Sequence, residues 1–215
     1  MGKSKYKKIL IFGGTGFLGK SLIKLLSKMD TEIILFTRKT SLGNSIQEYN
    51  SNPNIKVVHW NFTNYQLIEE NILNSDCIIN LCGILYENKQ GDFFRVHSDF
   101  PALLGELSTK NKINKLIHVS ALGASEFSNS VYSRSKAIGE RKLVEKFPNA
   151  KILRPSLLFG KGDNFFGQFS QMASLSPFLP LISGTTKFQP VFVDDVAMAI
   201  INLLENTKYI QTTFE

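Results

Sequence analysis

Short runs of β-branched and other apolar residues alternate along the chain with stretches whose apolar positions recur every three or four residues. "KILIF" (8–12) reads as a buried strand, and Leu18, Leu22, Leu25 and Met29 then form a stripe that predicts a helix over 17–28. "EIILFT" (32–37) and "IKVVHW" (55–60) predict a second and third strand, followed by a helix over 65–74 and a fourth strand, "DCIINL" (76–81). Leu103, Leu104 and Leu107 mark another helix with Pro101 near its start, ahead of a fifth strand, "LIHVS" (116–120). A helix from Ser130 through Leu143 and Phe147, closed by Pro148, leads to a sixth strand, "KILRP" (151–155). This alternation predicts an α/β fold over 1–155, a doubly wound Rossmann parallel sheet.

Beyond Pro155 the pattern turns irregular, through "FGKGDNFFGQF" and "SPFLPLISG". "FQPVFV" (188–193) reads as a strand, and Asp194 is placed to N-cap a helix with the stripe Val196, Ile200, Leu203 and Leu204. "YIQTTFE" reads as a closing strand, so 156–215 is expected to be a partial, truncated lobe that returns to the Rossmann core. The Ser- and Asn-rich connection 39–54 is expected to be the most mobile interior piece.

Hydrophobic residues at 43% and charged residues at 20% describe a soluble globular protein, not a disordered one. The apolar runs fall short of a membrane span, and the basic start "MGKSKYKK" lacks the apolar core of a secretory signal. Cys77 and Cys82 lie five apart and face opposite sides of one strand, so they do not bridge, which suggests a reducing, cytoplasmic setting. The net charge of +7 is spread over the chain, with one cluster at Lys3, Lys5, Lys7 and Lys8, and no nucleic-acid partner is expected from it. His59, His97 and His118 are too scattered to suggest a metal site.

The chemistry begins at "GGTGFLG", between the first strand and the first helix. Gly13, Gly14, Gly16 and Gly19 satisfy both G-x-G-x-x-G and G-x-x-G-x-x-G, spacings that bring backbone close to a pyrophosphate at a helix N-terminus. At the end of the second strand, where a carboxylate would hold a free ribose 2′-hydroxyl, stand Arg38 and Lys39. That substitution favours NADP(H), with NAD(H) as the alternative. Downstream, "SVYSRSK" places Tyr132 four residues before Lys136, about 6 Å along a helix axis, on one face. A cation beside a phenol favours its ionised form, so the two are candidates for a proton-transfer pair.

With these motifs in this order, and with "LRPSLLFG" after them, the chain resembles the short-chain dehydrogenase/reductases of the extended and atypical branches. "HVSALGASEFSNSVYSRSKAIGE", "LRPSLLFGKGDNFFGQF" and "FQPVFVDDVA" narrow the resemblance to bacterial relatives of the accessory subunit of respiratory complex I, epimerase/dehydratase-like proteins that bind NAD(P)H. The resemblance implies that Gly13, Thr15, Gly16, Phe17, Leu18 and Gly19 wrap the pyrophosphate and that Arg38, with Lys39, meets the 2′-phosphate. It implies that Asn61 and Phe62 border the adenine, and that Leu81, Cys82 and Gly83 lie beside the ribose and pyrophosphate. Lys136 would hold the nicotinamide ribose and lower the pKa of Tyr132, and Pro155 and Leu157 would border the nicotinamide. The hydroxyl that active members carry beyond the fifth strand is replaced by Ala121 and Leu122, leaving Ser120 or Ser125 as substitutes.

Three functions follow as expectations. One is a structural or assembly-linked NADP(H) binder associated with respiratory complex I or quinone metabolism, with complex I subunits or the inner-membrane surface as partners. The second is an NADP-dependent oxidoreductase, epimerase or dehydratase using Tyr132, Lys136 and Ser120. The third is an NADP(H)-sensing regulator.

Overall fold

The computed structural model describes residues 2–38, 49–62, 64–163, 174, 187–206 and 208–215. In chain order the elements are β1 (Gly2–Phe12), α1 (Phe17–Leu26), β2 (Met29–Thr37), β3 (Ile55–His59), α2 (Gln66–Ile72) and β4 (Cys77–Asn80). A short helix α3 (Asp92–Phe94) runs through a π-helical turn (Arg95–Asp99) into α4 (Phe100–Lys110), followed by β5 (Lys115–Val119), α5 (Val131–Lys146) and β6 (Lys151–Leu153). The remainder is β7 (Leu158–Phe159), β8 (Val191–Phe192), α6 (Val193–Glu205) and β9 (Thr213–Phe214).

Among the described residues, seven strands form one parallel sheet in the order β3-β2-β1-β4-β5-β6-β9, and β7 pairs with β8 beside it. The doubly wound sheet read from the sequence is therefore the fold. The chain order reverses between β1 and β4, and that crevice, at the C-terminal ends of the strands, is where α/β sheets of this kind bind ligands.

Strands buried on both faces show no polar alternation, which is why they read as apolar runs. Ile9 and Ile11 of β1 enter the layer formed by Leu18 and Leu22 of α1 and Val196 and Ile200 of α6. Leu10 and Phe12 enter the opposite layer, with Leu104 of α4 and Leu143 of α5. The two cysteines are free and fall into opposite layers, Cys77 in the first and Cys82 in the second.

Several boundaries differ from expectation. β1 starts at Gly2 rather than 8, because its basic first half pairs with Met29 and Asp30 before a register shift. Thr31 Oγ1 donates to the Tyr6 carbonyl at 2.8 Å within that irregular stretch. The expected strand over 188–193 pairs only at Val191–Phe192, because Val193 already turns into α6 and buries its side chain. Asp194 does not cap α6. The N-cap is Phe192, without a side-chain bond, and the Asp194 carboxylate instead accepts the Ser21 hydroxyl of α1. Lys39, most of 39–54, and most of the irregular segment after Pro155 lie outside the described residues.

A buried lysine closes the other end of α6. Lys115 Nζ donates to the carbonyls of Leu203 (2.5 Å), Asn206 (3.0 Å) and Leu204 (3.3 Å), groups that a helix C-terminus leaves without partners. Lys115→Met is expected to lower the stability by about 2 kcal/mol in urea unfolding, since buried carbonyls lose a charged donor. An unchanged midpoint would show that water replaces the ammonium there.

Candidate functional site

The groove at the β1–β4 crevice has a volume of about 420 Å³ and is lined by Gly13, Thr15 and Gly16 on one side and Leu81, Cys82 and Gly83 on the other. Phe36, Thr37, Arg38 and Trp60 close its far end. Gly13 has φ +79°, and a Cβ there would lie 2.9 Å from the Leu81 carbonyl carbon and 3.0 Å from the Cys82 nitrogen. The glycine thus lets the two walls of the groove approach each other. A Cβ on Gly19 would collide with the Gly14 backbone, so that glycine serves the close packing of α1 on its own turn. Gly16 is the N-cap of α1 and offers no side-chain acceptor, which leaves the first-turn N–H groups for a ligand.

At the far end the Arg38 guanidinium is exposed and lies 5.0 Å from the centre of the Phe62 ring. Phe62 itself is buried with Trp60, Phe100 and Phe12, while Asn61 beside it is exposed. Thr15 and Thr37 hydroxyls meet at 3.4 Å across the groove floor.

The near end reaches α5. Ser130 caps this helix through its hydroxyl, accepting from the Ser133 N–H, and so fixes where Tyr132 and Lys136 emerge. Lys136 is buried, and its Nζ donates to the Val119 carbonyl at 3.3 Å. A Cβ on Gly83 would lie 3.4 Å from the same Nζ, so the ammonium adjoins the wall of the groove. Burial brings the Lys136 pKa down to about 8, against the opposing pull of Cys82 and Glu140. The Cys82 thiol is pushed up to about 12 by burial, which makes it an inert wall residue despite Arg38 and Lys136 nearby.

A model of the NAD dependent epimerase/dehydratase family matches residues 9–213. The chain belongs to this family. It is 34% identical over 196 residues to the mitochondrial NADH dehydrogenase [ubiquinone] 1 alpha subcomplex subunit 9 of Dictyostelium discoideum, covering 91% of this chain and 54% of that protein. The mouse (Mus musculus) protein of the same name is 32% identical, over 95% of this chain and 55% of its own length. A ceramide reductase of Caulobacter vibrioides is 26% identical, over 90% and 59% respectively. The chain thus spans about half the length of the curated relatives it matches. Among solved structures, a UDP-glucuronic acid 4-epimerase from Bacillus cereus in complex with NAD superposes with a TM-score of 0.80 at 21% identity, covering 96% of this chain and 77% of that one. That likeness shows the fold.

Within this family fold the sequence-derived site residues separate into groups. Gly13, Thr15, Gly16, Arg38, Leu81, Cys82 and Gly83 come together around one groove. Phe17 and Leu18 start α1, where Leu18 buries its side chain in the core and leaves only backbone to a ligand. Pro155 lines a neighbouring cleft of about 600 Å³ with Leu122 and Val191, and the Leu157 carbonyl accepts the Val191 N–H at 2.9 Å. Ser120 follows β5 directly, with its Oγ buried and without a partner among the described residues.

The Tyr132 ring packs edge-on against Phe93 (5.8 Å) and His97 (5.3 Å), and burial raises the phenol pKa. The sequence reading missed Thr37 and Trp60 at the far end, and His97 and Ser135 behind the near end. Trp60 closes the run "IKVVHW", directly before Asn61, and that adjacency was the available signal. His118 is a packed strand residue, accepting at Nδ1 from the Asn80 amide at 3.1 Å. Arg154 is structural, held by Glu140 (2.6 Å) and Glu215 (2.7 Å).

Proposed function

We propose that the chain binds NADP(H) in the β1–β4 groove and acts as a structural or assembly-linked cofactor binder of respiratory complex I. The observation that carries the cofactor reading is the pairing of a close-approach glycine cradle with an exposed guanidinium. No carboxylate among the described residues pairs with Arg38, so the group is available to a 2′-phosphate. The residues present fit a dinucleotide: the α1 N-terminus suits the pyrophosphate, Phe62 and Asn61 the adenine end, and Gly83 with Lys136 the nicotinamide ribose. The complex I association is supported by the 34% and 32% identical relatives, which are named as subunits of NADH dehydrogenase.

Titration of both cofactors tests the first part. NADPH is expected to bind more tightly than NADH, and Arg38→Ala to weaken NADPH about tenfold or more while leaving NADH nearly unchanged. Tighter binding of NADH by the wild-type chain would overturn the preference. Co-purification of a tagged chain with NADH dehydrogenase activity tests the second part.

A second reading, an oxidoreductase using Tyr132 and Lys136, is favoured by the shared helix face of the pair and by the ceramide reductase relative. In that reading Lys136 would help hold a nicotinamide cofactor, whose chemistry would be hydride transfer, and the Tyr132 phenol would give a proton to the substrate oxygen. NADPH oxidation with quinone or carbonyl acceptors, abolished by Tyr132→Phe, would select it over the structural role.

A further inference from the structure

His97 is fully buried in the π-helical turn and touches both sides of the near end of the groove. Its Nε2 accepts the Ile84 N–H at 3.0 Å, immediately after the wall formed by Leu81, Cys82 and Gly83. Its Nδ1 lies 3.0 Å from Ser135 Oγ, on α5 between Tyr132 and Lys136. Ser135 Oγ in turn donates to the Tyr132 carbonyl at 2.8 Å.

These bonds determine the state of the ring. A backbone N–H can only donate, so Nε2 carries no proton. The neutral imidazole then holds its proton on Nδ1 and donates it to the Ser135 oxygen, whose own hydrogen is directed at the Tyr132 carbonyl. A doubly protonated ring would set one N–H against another. Burial and the neighbouring Lys136 oppose that form as well, holding the His97 pKa down at about 3. Packing fixes the ring's plane: Phe93 stacks on it at 5.5 Å and 24°, and Tyr132 meets it edge-on.

From this geometry we infer that His97 is a positioning residue, a neutral strut that holds the β4 exit segment at the spacing from α5 that one dinucleotide needs to reach both Gly83 and Lys136. The inference rests on the cofactor reading above. Gly83 gauges the spacing, since a Cβ there would lie 3.4 Å from Lys136 Nζ and 3.9 Å from His97 Nε2. The far side of the same connection is tied separately, by the Phe93 N–H to Glu87 Oε1 (2.8 Å) and the Lys89 N–H to Asp92 Oδ2 (3.1 Å). His97 therefore sets the end nearest the groove. Without it the Ile84 N–H turns to water, and the wall is free to move off Lys136.

The test uses the free, isotopically labelled chain and two variants. In the wild type, 15N spectra are expected to show the neutral Nδ1–H tautomer of His97 from about pH 5 to pH 9, with the Ile84 amide protected from exchange. His97→Gln keeps an acceptor for Ile84 and a donor for Ser135, whereas His97→Leu keeps bulk alone. The leucine variant is expected to lose Ile84 protection and to bind NADPH about tenfold more weakly, with the glutamine variant within about threefold of wild type. Melting curves ensure that binding is compared on folded protein. A protonated or Nε2–H ring overturns the inference, as does wild-type affinity in the folded leucine variant, which would make His97 a packing residue only. If the wild-type chain bound no dinucleotide, the cofactor reading would fail. The strut would then stand or fall on the tautomer and on Ile84 protection in the two variants.

Discussion

Lys136→Met is expected to weaken dinucleotide binding by about tenfold to a hundredfold, the range for losing a charge-assisted hydrogen bond at a buried site. The ammonium has three donors, and among the described residues its hydrogen bond is to the Val119 carbonyl, long at 3.3 Å. Methionine fills similar volume, so the packing of α5 on β5 survives. Isothermal titration of the folded variant checks the result. Unchanged affinity would remove Lys136 from the site and leave the phosphate cradle as the whole of it.

The same lysine sets an opposed pH dependence for stability and for binding. In the free chain its pKa is held near 8 against an unfolded value of 10.5. A depressed pKa means that stability is lost as pH falls from about 10.5 through about 8, and is fully present only above 10.5, where the folded and unfolded lysines are both neutral. Binding runs the other way. A phosphate-bearing ligand favours the ammonium, so affinity is greatest below about pH 8 and falls up to about tenfold per pH unit above it. The groups facing Lys136 do not share this window. His97 of the π-helical turn titrates near 3, His118 of β5 is held well below its ordinary value, and Cys82 beyond β4 is raised to about 12. On α5 itself, burial raises Tyr132, while Glu140 is paired with Arg154. Lys136→Met should therefore flatten the binding profile and reduce the slope of the stability profile, to which Lys115 and Lys151, both also lowered by burial, still contribute.

The fold was legible because its central strands are apolar runs bounded by turns, and because helix stripes such as Leu18 and Leu22 differ from them in period. The groove was legible for a related reason. Glycine spacing and a basic residue at a strand end are local signals, and they mark the two ends of the ligand directly. What stayed hidden depends on partners distant in sequence. Asp194 has the position of a cap, yet Ser21, 173 residues away, takes its carboxylate. "FRVHSDF" has no clean helical stripe, because Val96, His97 and Ser98 are all buried by the π-helical turn. A lone histidine there carries no local signal, because its partners Ile84 and Ser135 lie 13 and 38 residues away.

Gly139→Ala is expected to cause a large loss of stability, against its helix propensity. In an exposed helix interior the change from glycine to alanine gains up to about 1 kcal/mol. At Gly139, in the middle of α5, a Cβ would fall on the His97 carbonyl oxygen, 2.8 Å from its carbon and 3.1 Å from Ser98 Cα. The obstacle is backbone on both sides, a helix against the π-helical turn, so no rotamer change relieves it. Overpacking of this kind costs about 3 kcal/mol, which outweighs the propensity gain and should lower the melting temperature by roughly 4–8 °C for a chain of this size. Gly105, on the facing helix α4, provides the comparison. Its Cβ would lie 3.0 Å from the Lys146 Cβ and 3.1 Å from both Leu143 Cδ1 and the Leu143 carbonyl oxygen, contacts that a shift of a few tenths of an ångström between the helices relieves. Alanine there should be much milder. If Gly139→Ala melts at or above the wild-type temperature, α5 does not press on the turn that carries His97, and the spacing of the near end is set by some other contact.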